Sequence, residues 1–135
     1  MILAVAFVAV GCASTDEVVK RIDSNGWEVV QLGAKNLLDT EGVKLPTMNF
    51  NSEEKTVSGT TGCNNYTGGY SVDVYGIEFA ENMIMTKMAC PDADAIETAF
   101  IDVMKQATKF KLDGDELMLM DTAGLQILKA RPMSK

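Results

Sequence analysis

Three cysteines, Cys12, Cys63 and Cys90, are the residues best suited to covalent chemistry, and no histidine accompanies them. Without an imidazole the chain lacks the commonest general base, the Ser-His and Cys-His nucleophile pairs, and most zinc and iron sites. A catalytic thiol would have no histidine to activate it. No catalytic residue is therefore assigned, and no enzyme activity is expected. Met83, Met85 and Met88 lie close to Cys90 in sequence. Thioether with thiolate is a donor set for Cu(I), whereas methionine also fills irregular cores and Met83 and Met85 alternate like one face of a strand. The core reading is preferred, with no metal or other cofactor expected; pairing of Cys90 with another cysteine would remove the best ligand.

Each cysteine has its own context. Met1 to Val10 is an unbroken apolar run without a charge, followed by Gly11-Cys12 and a polar stretch. Ten residues cannot cross a bilayer as a helix, which takes about 20. The run has the length of a signal-peptide core. Ala9-Val10-Gly11-Cys12 resembles the bacterial lipobox, in which the cysteine is acylated and becomes the first residue after cleavage. Residues 1–11 are then expected as a lipoprotein signal peptide, with Cys12 the lipidated terminus. The first basic residue is Lys20, and Ala9 stands where leucine is usual. A start codon placed upstream would supply the missing positive segment; the alternative is a buried amino-terminal strand or helix. With Ala13 after the cysteine, the resemblance favours an outer membrane.

Once Cys12 carries lipid, Cys63 and Cys90 remain as an even pair, which in an exported chain reads as a disulfide. Such a bridge would contribute roughly 3 to 4 kcal/mol in the chain-entropy account. Two buried free thiols are the alternative. Cys63 sits in Gly59-Thr60-Thr61-Gly62-Cys63-Asn64-Asn65-Tyr66-Thr67-Gly68-Gly69-Tyr70, where four glycines and two asparagines predict a shaped bend between strands. Gly62, Asn64, Asn65 and Gly69 are its candidate turn or surface residues. The plainer account has Asn64 satisfying buried backbone groups.

The elements that must position these residues are short. A chain of 135 residues that is 47% hydrophobic suits one domain with one core. A net charge of −7 with scattered Lys and Arg argues against nucleic acid. Residues 12–25 are polar with little periodicity and are expected as a tether, leaving 26–135 as the domain. Trp27 to Leu32, Thr47 to Asn51, Thr56 to Thr60, Tyr70 to Val74, Ile77 to Phe79, Lys109 to Leu112, Glu116 to Met120 and Leu125 to Lys129 read as strands; Leu37 to Pro46 reads as a loop. Asp113-Gly114 between hydrophobic runs is a strong hairpin signal. From Asp92 to Thr108 one helical stripe recurs through Ile96, Phe100, Val103, Met104 and Ala107, with Pro91 suited to its first turn. The predicted fold is mostly β, of the α+β class: a small antiparallel, partly open β-barrel with one amphipathic helix (about 92–108) packed on it.

Trp27, Val57-Ser58-Gly59 running into Gly62-Cys63-Asn64, Gly69-Tyr70, Thr86-Lys87-Met88-Ala89-Cys90 ahead of a helix with Glu97 and Phe100, then Leu117-Met118-Leu119 and Gly124-Leu125, resemble the META domain of HslJ-like heat-shock lipoproteins. The resemblance runs from Trp27 to about Leu128. It implies an antiparallel, partly open barrel with one packed helix, in a bacterial envelope protein tied to stress and, in some members, to resistance against antibiotics that cross the outer membrane. It implies no established catalytic residues.

Two functional readings follow. In the first, a monomeric, non-catalytic lipoprotein held to the membrane through Cys12 contacts an envelope protein through the glycine bend, serving envelope stress or integrity. In the second, the cracked barrel carries an apolar ligand or lipid, although small barrels usually fill with their own side chains. Asn65-Tyr66-Thr67 fits an N-glycosylation pattern that arises readily by chance, and Asp121-Thr122-Ala123 resembles a short bacterial O-glycosylation motif that turn chemistry also explains.

Overall fold

A computed structural model describes residues 14–133, so Cys12 and the apolar run before it lie outside the described residues. The first element among the described residues is helix α1 (Thr15–Asp23), in the stretch expected as a tether. Ser14 caps it by accepting from Glu17 N at 3.3 Å, acids occupy its first turn, and Lys20 and Arg21 its last. Val18 and Ile22, one helical turn apart, are buried in the core. The expectation fails because two apolar residues make a stripe too narrow to see until a sheet lies beneath it. Three hydrogen bonds hold the helix down. Trp27 Nε1 donates to Ile22 O at 2.9 Å, Arg21 to Gly114 O at 2.7 Å, and Ser52 to the Asp23 carboxylate at 2.9 Å.

Strands β1 (Gly26–Leu32), β2 (Lys35–Asn36), β3 (Thr47–Asn51), β4 (Thr56–Thr60), β5 (Asn65–Val72), β6 (Ile77–Phe79) and β7 (Ile84–Met85) precede helix α2 (Asp94–Gln106). Strands β8 (Lys109–Asp113), β9 (Glu116–Met120) and β10 (Gln126–Met133) follow it. Pairing is antiparallel throughout, in the order β6-β5-β4-β3-β1-β10-β9-β8, with β2 beside β1 and β7 beside β5. The path closes nearly to a barrel, the partly open form predicted, and among the described residues leaves one seam, between β6 and β8.

Several boundaries differ from expectation: β10 runs on to Met133, past the expected strand end at Lys129, and the strand expected from Tyr70 to Val74 is the end of β5 and stops at Val72. The glycine-rich segment is mostly strand: β5 begins at Asn65, and Asn65 to Gly69 pair residue for residue with Thr60 to Thr56 of β4. Asn65 and Gly69 are thus ladder residues, and the bend shrinks to Thr61–Asn64. Glycines hid the strand because they carry no side chain to show alternation. Helix α2 begins at Asp94, since Pro91 belongs to a separate turn in which Ala93 N donates to Cys90 O at 2.8 Å. Leu37 to Asp39 forms one 3-10 turn that buries Leu37.

The core lies between the curled sheet and both helices. Trp27, Met48, Phe50, Val57, Leu117, Leu119 and Leu128 are at most 2% exposed, so side chains fill the barrel interior. The α2 stripe arrives as predicted, with Ile96, Phe100, Val103 and Met104 buried and Phe100 5.5 Å from the Tyr66 ring. Burial pushes the Tyr66 phenol well up, and it donates to Thr47 O at 2.7 Å.

Candidate functional site

The bend at Thr61–Asn64 lies against the segment leading into α2, and Cys63 and Cys90 form a disulfide with Cα atoms 5.8 Å apart. The covalent closure pins two loops that strand pairing leaves separate. Gly62 allows the bend: its φ is +98°, and an added Cβ would stand 2.9 Å from Lys44 O.

Asn64, 2% exposed, turns its amide inward and uses all of it. Its Oδ1 accepts from Met88 N at 2.6 Å and from Thr86 Oγ1 at 3.0 Å. Its Nδ2 donates to Met88 O at 3.4 Å and to the Glu97 carboxylate at 2.9 Å. The side chain therefore treats Met88 as a neighbouring strand would, and its second N–H reaches the helix. Thr61, fully buried, completes the cluster. Its hydroxyl donates to Glu97 Oε2, the carboxylate oxygen that Asn64 Nδ2 also reaches, and accepts from Asn64 N at 2.9 Å and Cys63 N at 3.3 Å.

Glu97 thus receives hydrogen bonds from Thr61 and Asn64, and these hold its carboxyl below the usual carboxylate range against an opposing desolvation effect. A threonine hydroxyl on a carboxylate could suggest a nucleophile with its base. The geometry argues otherwise: Thr61 is closed to solvent with its lone pairs engaged, and a depressed carboxyl is a weaker base. No buried side-chain polar atom lacks a partner among the described residues. The cluster is a saturated polar pin joining bend, pre-helix segment and α2.

The other candidate residues separate. Cys90 is oxidised with Cys63, which withdraws the thiolate from any soft-metal set with Met83, Met85 and Met88. Met83 leans on Gly68, Met85 pairs opposite Tyr66 on β7, and Met88 is 55% exposed. Asn65 is exposed on β5, and Thr122 is exposed in the turn where Gly124 N donates to Asp121 O at 3.0 Å.

Sequence reasoning missed Glu97 and Thr61 as partners of Asn64. The available signal was a polar residue beside the buried stripe of α2, next to Ile96, seven positions after a cysteine bound to the asparagine's own bend.

A groove of about 980 Å³, open to solvent, runs along the seam between β6 and the carboxy-terminal half of α2. Met83, Met85 and Ile101 contribute apolar surface over the buried Ile77 and Met104, with Asp73, Glu78, Glu81 and Lys105 also on its walls.

The META domain family model matches residues 20–133. No curated protein matches the chain. Among solved structures, a DUF4847 family protein from Bacteroides vulgatus superposes with a TM-score of 0.66 at 14% identity, covering 87% of this chain and 99% of its own. A protein from Burkholderia xenovorans gives 0.64 at 20% identity, covering 90% of both chains. A third structure gives 0.65 at 18% identity over 84% of this chain and 93% of its own. At these identities the likeness concerns the fold.

Proposed function

The chain belongs to the META domain family, and we propose that it is a non-catalytic bacterial envelope module, lipid-anchored at Cys12, that works as a monomer by binding a protein partner and serves envelope stress tolerance or integrity. The observation that carries this reading is the Cys63–Cys90 bridge closing over a polar cluster with its hydrogen bonds spent inward. A disulfide of that kind persists in oxidising compartments and is rare in the cytosol. The saturated cluster stiffens a scaffold and leaves recognition to the surface. The apolar-carrier reading loses its interior, since large side chains occupy the barrel.

Cell fractionation of a bacterial producer, with intact mass measured without reductant, tests this. The expected product is membrane-bound, begins at an acylated Cys12 and has Cys63 joined to Cys90; Cys12→Ala should release it from the membrane. Deleting the gene should sensitise cells to agents that breach the envelope. A cytosolic product with two free thiols would overturn the proposal.

A further inference from the structure

The seam groove holds a feature the polar cluster does not use. Strand β6 ends the sheet path, so one of its edges has no neighbouring strand among the described residues. Which groups face that edge follows from the bonds already made. Asp73 N donates to Gly76 O and Ala80 N to Gly69 O, so Gly76 and Ala80 turn their main-chain groups toward β5. Ile77 N instead donates across the seam to Thr108 O at 3.2 Å. Antiparallel strands alternate these directions residue by residue. Ile77 C=O and both main-chain groups of Phe79 therefore face the groove.

Strand β8 departs after Thr108, and α2 rises beside it, so the place of the next strand is the groove itself. One main-chain donor, Phe79 N, and two acceptors, the carbonyls of Ile77 and Phe79, lie along one wall, and apolar Ile101 over the buried Met104 along the opposite one. The charges on the walls are unequal: Asp73, Glu78 and Glu81 oppose Lys105 alone. Such walls repel the anionic head of a fatty acid or phospholipid and attract a basic group.

We propose that the seam groove binds an extended peptide segment of a partner protein, apolar in its middle and basic at its ends, added as a strand to the free edge of β6. Main-chain bonding would supply affinity, alternate side chains entering the groove would supply selectivity, and the carboxylates would choose the flanking lysine or arginine. The proposal rests on the binding function above and identifies its surface. It does not depend on the lipid anchor.

The test is an NMR titration of the purified, disulfide-bonded, 15N-labelled full chain with acetyl-Lys-Val-Thr-Val-Thr-Val-Lys-amide. A second peptide is N-methylated at alternate residues to block one edge, and sodium decanoate serves as an apolar-chain probe. Expected are shifts at Ile77, Phe79 and Lys105 and amide exchange at Phe79 slowed about tenfold. Loss of binding is expected with the methylated peptide, and about tenfold weaker binding in a Glu78→Lys, Glu81→Lys variant. Both glutamates are exposed, so an otherwise unchanged spectrum will show that the variant is folded. No response up to about 1 mM peptide, equal binding of the methylated form, or decanoate alone filling the groove would each overturn the proposal. Such a failure would leave the envelope reading standing, because fractionation decides that separately.

Discussion

Asn64 Nδ2 lies 2.9 Å from Glu97 Oε2, joining a hairpin bend to a helix that begins 30 residues later at Asp94. Within the asparagine no polar group is spare, because each amide hydrogen and the carbonyl oxygen already has a partner, while the Thr61 hydroxyl also reaches the carboxylate from the bend. Asn64→Ala should therefore cost about 2–4 kcal/mol, measured by urea denaturation, since it removes the acceptor of Met88 N and leaves the Glu97 carboxylate with the Thr61 hydroxyl alone. Asn64→Asp should be worse near neutral pH, where two carboxylates would face each other, and should recover as the solution is acidified. An Asn64→Ala protein as stable as the wild type would show that the pin is decorative.

Glu97 sets an acid limit. Its folded-state carboxyl is depressed, chiefly by the Thr61 hydroxyl and then by Asn64. The folded state thus binds the proton less readily than the unfolded chain. Its contribution is complete above the ordinary carboxylate value and is lost as pH falls through the lower folded value. Stability should decline on acidification below the usual glutamate range, and Glu97→Gln should flatten that part of the curve while lowering the neutral plateau. Equilibrium unfolding at a series of pH values checks both. An unaltered acid slope in Glu97→Gln would count against the assignment.

The disulfide acts mainly on the unfolded chain. Its separation of 27 residues corresponds, in the loop-entropy account, to about 3.5 kcal/mol. Cys63→Ala with Cys90→Ala should lower the unfolding free energy by that order, and dithiothreitol should do the same to the wild type. The double variant should show no further response to reductant, which separates loss of the bridge from a general effect of the reagent.

How much of this was legible depended on how far apart the interacting residues lie. The α2 stripe from Ile96 to Met104 and the Asp113-Gly114 hairpin are local patterns, and each appears where spacing places it. Cysteine parity crossed a longer distance because an even pair leaves a single pairing. Residues 65–69 failed for want of side chains: a strand holding Gly68 and Gly69 shows no alternation, although its ladder with β4 is unbroken. The pairing of Glu97 with Asn64 and Thr61 failed for another reason. A glutamate on a helix looks solvated until the bend folds against it. The groove is invisible in principle to such reading, being the space left by a strand that the fold does not supply.

The seam itself should respond to a small volume change. A Cβ on Gly76 would stand 2.3 Å from Thr108 O, a backbone atom that cannot swing away. Gly76→Ala should push β6 off the end of α2, weaken the Ile77–Thr108 bond and cost about 1–3 kcal/mol. Faster amide exchange should be confined to β6 and the last turn of α2. Uniform loosening of the barrel would show instead that the seam is coupled to the whole sheet.

The amino-terminal helix gives the plainest division between a tether and part of the domain. If residues 15–23 only spaced the barrel from a membrane, Ile22→Ala would change nothing measurable, because an exposed isoleucine in a flexible segment buries no surface. Ile22 is instead fully buried, and its carbonyl receives the Trp27 indole at 2.9 Å. Truncating it removes buried methylenes and leaves a cavity beneath α1, at a cost of about 2–5 kcal/mol. Trp27 reports the event directly: as the chain's single tryptophan, its fluorescence should shift to the red if the helix lifts and water reaches the ring. Ile22→Val should retain most of the stability, whereas exposed Lys20→Ala should be close to neutral. Those three variants together distinguish packing of the helix from any general demand for residues before β1.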